Sequence, residues 1–173
     1  MRRTLQRWLA ITGVSLALMV PTQAQSVEYK GPARIVDGDT VIISGVRIRF
    51  FGIDAPETKQ TCLDARGRRY ACGQRSTAYL HRLVGGRPVR CVGTGGTSLG
   101  RPLARCYVGK TDLQAAMARA GHAVAYLRHG TDYSGNEAQA RAARRGLWQG
   151  KFKRPRSVRN CRNSGMGTIA SCS

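Results

Sequence analysis

The sequence predicts an α+β domain that is mainly β, and three observations carry that reading. From Val27 to Phe51 the chain is rich in Val, Ile, Tyr and Phe and poor in helix signals, which favours strands. A second strand-like pair, Pro88 to Val92 and Leu103 to Val108, flanks a glycine-rich connection from Gly93 to Gly100. Three further segments carry helical spacing closed by stop signals.

Taken in chain order, Ser44-Gly45 splits the first region into Val41–Ile43 and Val46–Phe50, the pattern of a hairpin with a tight turn. Alternation in the second run places Val46, Ile48 and Phe50 on one face and presents Arg47 and Arg49 outward on the other. Residues 73 to 84 form a helix with Leu80, Leu83 and Val84 apolar, ended by Gly85-Gly86. Pro88–Val92 and Leu103–Val108 make a second hairpin. Thr111 with Gln114 reads as a capping box opening a helix that carries Leu113, Ala116, Met117 and Ala120 and stops before Gly121. Ser134 with Glu137 reads as another, opening a helix that stops at Gly146.

The ends of the chain differ from this middle. Residues 1–24 have a basic start, a mostly apolar stretch from Trp8 to Val20 and a small residue at Ala24, the layout of a secretory signal peptide. That apolar stretch is shorter than the roughly 20 residues a membrane-spanning helix needs, so no stable membrane association is expected. The 29 basic residues fall to 26 on its removal, because it contains Arg2, Arg3 and Arg7 and no acid; against 9 acids the net charge becomes +17. Such a charge calls for an anionic partner: nucleic acid, anionic lipid or a polyanionic saccharide. Behind an export signal, Cys62, Cys72, Cys91, Cys106, Cys161 and Cys172 read as disulfide cysteines. Six cysteines leave the connectivity open. Nearest-neighbour pairing is the expectation, with Cys91 and Cys106 on paired strands and Cys161 with Cys172 by elimination. Residues 25–152 are expected to form the domain. Residues 153–173, basic, without acids and poor in apolar residues, read as a tail ordered only if its two cysteines pair.

The scarce acids are not scattered. Asp37, Asp39, Asp54 and Glu57 fall close together in a strongly basic chain, with no His or Cys beside them, a donor set suited to calcium or magnesium rather than zinc. Asp and Gly are also ordinary turn residues, so Asp37-Gly38-Asp39 by itself equally describes a turn. In the hairpin Asp39 lies opposite Phe50, which leaves Asp54 beyond the strand end. The two carboxylates meet only if the chain bends back, and Gly52 is the residue that permits it. His81, His122 and His129 show no metal or nuclease spacing and read as surface or hydrogen-bonded histidines.

Asp37-Gly38-Asp39-Thr40-Val41, then Arg49-Phe50-Phe51-Gly52-Ile53-Asp54-Ala55-Pro56-Glu57-Thr58, then Gly100-Arg101, resemble in order and spacing the three signatures of the staphylococcal nuclease (thermonuclease) family. The similarity runs on through Gly121–Tyr126 and from Glu137 to Trp148. The resemblance implies a five-stranded OB-fold barrel with three helices and a monomeric, exported, calcium-dependent endonuclease. Such an enzyme cuts DNA or RNA without regard to the sugar and leaves 3′-phosphate ends. It implies Asp39, Asp54 and the Ala55 carbonyl as calcium ligands and Glu57 as general base. Arg49 and Arg101 are then the pair that neutralises the transition-state phosphate, and Tyr126 stands beside the nucleotide. Departures from the family pattern are Thr97-Ser98-Leu99 before Gly100-Arg101, where an Asp and a Tyr are usual, and Arg128, which stands where a second tyrosine contacts substrate. The segment from Gln60 to Gly73 also differs. A catalytically silent OB-fold that only grips nucleic acid is the alternative, and loss of the acids or arginines would mark it; none is lost.

Overall fold

The computed structural model describes residues 26–173, so the expected signal peptide, residues 1–24, lies outside the described residues. In chain order the strands are β1 (Glu28–Gly31), β2 (Ala33–Asp37), β3 (Thr40–Ile43), β4 (Val46–Phe50), β5 (Ile53–Asp54), β6 (Cys62–Leu63), β7 (Arg69–Tyr70), β8 (Val89–Ser98), β9 (Arg101–Val108), β10 (Thr111–Asp112) and β11 (Val124–Ala125). The α-helices are α1 (Cys72–Val84), α2 (Leu113–Arg119), α3 (Ser134–Ala142) and α4 (Pro155–Asn163). The fold is α+β with a large sheet, as expected, but its counts differ. Seven strands join in the order β1-β8-β9-β4-β3-β2 with β10 on β9, and the described residues hold four α-helices rather than three.

Both hairpins form. Ser44 and Gly45 take φ of 48° and 80°, which matches the twist of a two-residue turn, and β3 pairs with β4 from Ile43–Val46 to Thr40–Arg49. The glycine-rich stretch is strand rather than connection. β8 and β9 continue past a register shift between Gly93 and Thr97 to Ser98–Arg101, and only Leu99 and Gly100 turn, at φ 51° and 74°. Glycines let the strand bend there without side chains to collide. The hairpins meet where β4 runs parallel to β9 through Arg49–Leu103 and Phe50–Ala104.

The core lies between this sheet and the helices. Val41, Ile43, Ile48 and Phe50 from the first hairpin meet Leu80 of α1 and Leu113 and Met117 of α2, each almost wholly withdrawn from water. α1 ends at Gly85, which at φ 55° gives its N–H to the His81 carbonyl. Neither expected capping box forms. Asp112, not Thr111, caps α2 by accepting the Ala115 N–H, while Gln114 is buried and ties Ala104 and Cys106 of β9. Ser134 is already helical; Glu137 accepts the Ala125 N–H of β11 and pairs with Arg154. α3 ends at Ala142, and a short 3₁₀ turn, Gly146–Gln149, follows.

The disulfides are Cys62–Cys72, Cys91–Cys106 and Cys161–Cys172, leaving no free cysteine among the described residues. Three bridges suit an oxidising compartment. No helix of the described residues is long and apolar enough to cross a membrane.

His81 is exposed on α1, whereas His122 and His129 pack within the fold. His122 stacks on Tyr79 with ring centroids 4.3 Å apart, and burial, then Arg82 and Arg75, push its pKa down to about 4. The folded protein therefore keeps His122 neutral, whereas the unfolded chain binds a proton below pH 6.5. Stability from this residue is present above pH 6.5 and is lost as pH falls towards 4. His122→Gln should remove about 1–2 kcal/mol of that acid sensitivity, a figure discounted for partial exposure. Urea unfolding of both proteins at neutral and acidic pH measures it; equal pH slopes would contradict it.

Candidate active site

The register of β3 and β4 sets the first two residues of the site. Thr40 pairs with Arg49, and the Phe50 N–H donates to the Asp39 carbonyl at 2.8 Å, so Asp39 and Arg49 leave the sheet at the same end. Arg47 is exposed as expected, but Arg49, expected outward, is only 8% exposed because two carboxylates close over it. Its Nη1 donates to Asp39 Oδ1 at 3.1 Å and its Nη2 to Asp54 Oδ1 at 2.8 Å.

Asp54 reaches that guanidinium because the chain does bend at Gly52, which takes φ 76°. Around the bend Phe51 donates to the Ala104 carbonyl and Tyr126 donates to the Gly52 carbonyl. β5 then pairs with β11, setting Asp54 opposite Val124. Next along the chain, the Ala55 N–H donates to Asp39 Oδ2 at 2.8 Å. Asp37-Gly38-Asp39 is a turn as well as part of the site: Asp37 accepts the Asp39 N–H.

Glu57 is carried on a loop pressed against the start of α1. A Cβ on Gly73 would lie 1.8 Å from the Glu57 carbonyl oxygen, so only glycine admits this approach. Gln60, fully buried, fastens the loop further, since its Oε1 accepts the Glu57 N–H and its Nε2 donates to the Lys153 carbonyl at 2.8 Å. The Cys62–Cys72 bridge closes the segment that follows.

Asp37, Asp39, Arg49, Ala55 and Glu57 line a cavity of about 630 Å³, and Asp54 borders the groove beside it. Arg101 enters it from the β8–β9 turn, where its Nε donates to the Ser98 carbonyl. Leu99, 92% exposed at the tip of that turn, stands at the position before Gly100. Tyr126 lines the cavity and packs edge-on to His129, whose Nδ1 accepts the Gly52 N–H. Arg128 lies outside that cavity; it is exposed and lines the neighbouring groove with Asp54, Tyr126 and Arg156.

A residue that the sequence did not reveal completes the arrangement. Arg159 of α4 donates from Nη2 to Asp54 Oδ1 at 2.7 Å and from Nη1 to Glu57 Oε1 at 2.8 Å. The basic tail, expected to be ordered only if its two cysteines pair, carries that bridge and packs against the domain. The Lys153 carbonyl accepts from Gln60 Nε2, Ser173 Oγ accepts the Thr61 N–H, and Pro155 and Val158 are buried. Pro155 at the first helical position was the one available sign of this helix.

The electrostatics are those of crowded carboxylates among guanidinium groups. Burial, then the neighbouring Asp39, pushes Asp37 up to about 6. The same two causes raise Asp54 despite Arg159 and Arg49. Burial opposes the charges of Arg49 and Arg159, yet the carboxylates overcome it and raise both. Arg101 is lowered by burial and then by the Arg49 cation, which Asp39 and Asp37 offset only in part, so positive charge is concentrated on this side of the cavity. Such a place favours an incoming anion. A hard divalent cation fits the carboxylate side. Asp39 and Asp54 supply charged oxygens crowded enough to repel each other, and the Ala55 carbonyl is adjacent in the chain. The described residues gather no cluster of three or more His, Cys, Asp or Glu side chains into a ready-made metal cage. Water and substrate oxygens would have to fill the rest of the shell.

The sequence profile of the family described as "Staphylococcal nuclease homologue" matches residues 47–150. Among curated proteins, "Succinoglycan biosynthesis protein ExoI" of Rhizobium meliloti (strain 1021) is 34% identical over 146 residues, covering 80% of this chain and 75% of that protein. An "Uncharacterized endonuclease" of Escherichia coli O157:H7 is 34% identical over 122 residues, 66% of this chain and 73% of that protein. "Probable staphylococcal-like nuclease CAN2" of Oryza sativa subsp. japonica is 32% identical over 131 residues, 72% of this chain but 33% of the rice protein.

Proposed function

Because the chain belongs to the staphylococcal nuclease homologue family, we propose that it is a calcium-dependent, sugar-nonspecific endonuclease of the periplasm or the cell exterior, hydrolysing DNA and RNA to 3′-phosphate ends. The observation that carries this reading is the fork of Arg49 across Asp39 and Asp54, with Glu57 and Arg101 on the same cavity. Asp39, Asp54 and the Ala55 carbonyl are the residues that would hold calcium. When bound, the ion supplies Lewis acidity towards a phosphate oxygen.

The chain's own groups do the remainder. Glu57, at the cavity and partly open to water, takes a proton from the attacking water as its oxygen bonds to phosphorus. The phosphorus bond to the 5′-oxygen breaks, and that oxygen takes up a proton from solvent. Negative charge grows on the phosphate oxygens meanwhile, and Arg49 and Arg101 stabilise it more strongly than they do the ground state. Guanidinium groups suit this task because two parallel N–H donors match two phosphate oxygens. Tyr126 borders the nucleotide, and Arg128 in its side groove holds flanking phosphate.

Plasmid DNA and RNA incubated with the purified protein, in calcium and then in chelator, test the proposal. Cleavage of both in calcium, abolished by chelator, is expected. Retention of nucleic acid without cleavage would instead identify a binding protein.

A further inference from the structure

A role for Arg159 rests on the nuclease function proposed above and extends it. Its place is fixed by packing rather than by the reach of a free side chain. Val158 of the same helix is wholly buried, Gln60 holds Lys153 before the helix, and the Cys161–Cys172 bridge with Ser173 on Thr61 holds the chain after it. Arg156, Arg159 and Arg162 therefore line the same cavity as Arg47, Arg49 and Arg101, so that α4 forms a wall of the site.

The contacts of Arg159 fall on the two carboxylates most needed elsewhere. Asp54 Oδ1 accepts from both Arg49 and Arg159, and Glu57 Oε1 accepts from Arg159. A divalent cation at Asp54 brings two positive charges within a few ångströms of this guanidinium, and like charges at that distance repel strongly in a partly buried site. While Arg159 holds Oε1, only the second carboxylate oxygen of Glu57 is left to take a water. The side chain is 23% exposed and lines the cavity, so the phosphate of an entering substrate would be the next anion within its reach.

We propose that Arg159 is a substrate-binding residue of this site: in the metal-free protein it neutralises Asp54 and Glu57, and it passes to the phosphodiester when a divalent cation takes Asp54 and Glu57 turns to the attacking water. Arg159 thus competes with the cation before substrate arrives and grips the nucleic acid afterwards.

Calorimetry on the full, disulfide-bonded chain separates these effects from turnover. Without nucleic acid, Arg159→Gln should bind calcium roughly tenfold more tightly than the unaltered protein, since a competing charge is gone. At saturating calcium the same variant should bind an uncleavable phosphorothioate oligonucleotide roughly tenfold more weakly. Arg159→Lys keeps the charge and loses the fork, so it should leave calcium affinity near that of the unaltered protein while still weakening the oligonucleotide. If the unaltered protein binds calcium and Arg159→Gln binds it no more tightly, the proposal fails and the nuclease reading stands. Oligonucleotide affinity unchanged in Arg159→Gln overturns it also. Calcium binding by neither protein would overturn both.

Discussion

Glu57→Gln is expected to leave the protein folded and to slow cleavage by ~10² to 10⁴, the range for loss of a general base. Glutamine has the shape of glutamate, and its amide oxygen still accepts from Arg159. The loop itself is held by the Glu57 backbone, through the Gln60 side chain and the close approach of Gly73, so the substitution does not loosen it. What disappears is basicity. Turnover beside thermal unfolding measures the two parts, and full activity in a folded variant would remove Glu57 from the reaction.

Arg49→Lys should lower turnover by ~10² to 10³ at saturating calcium, comparable to loss of one preorganised transition-state donor. It should also lower stability by about 2 kcal/mol, because an ammonium cannot span Asp39 and Asp54 and one buried carboxylate then lacks its charged hydrogen bond. Arg101→Lys makes the useful contrast. Arg101 is held by a single bond to the Ser98 carbonyl at a turn, so its replacement should slow cleavage with little change in unfolding. Equal stability losses in the two variants would show that Arg49 is not the bridge described above.

The parts of this site that were legible in the sequence are those fixed by local rules. A two-residue turn at Ser44-Gly45 sets Asp39 against Phe50, and one glycine past the strand end lets Asp54 return; both follow from backbone preferences. The Cys91–Cys106 bridge follows from pairing of the strands that carry it. Less legible were features decided by tertiary contact. α4 buries little beyond Pro155 and Val158 and is otherwise charged or polar, so no apolar stripe announces it; its order comes from Gln60, the terminal disulfide and the ion pairs of Arg159. Glu137 occupies a capping-box position yet serves β11 and Arg154, partners remote in sequence. The glycines of β8 conceal a strand because glycine carries no pattern of its own.

Neighbouring carboxylates of this site divide two tasks, holding the cation and moving the proton. Calcium affinity by calorimetry, measured together with turnover for Asp39→Asn, Asp54→Asn and Glu57→Gln, tests it most directly. The expected result is weakened calcium binding in both aspartate variants, and calcium still bound but cleavage slowed in Glu57→Gln. Unchanged calcium affinity in both aspartate variants, with full turnover in Glu57→Gln, would contradict it.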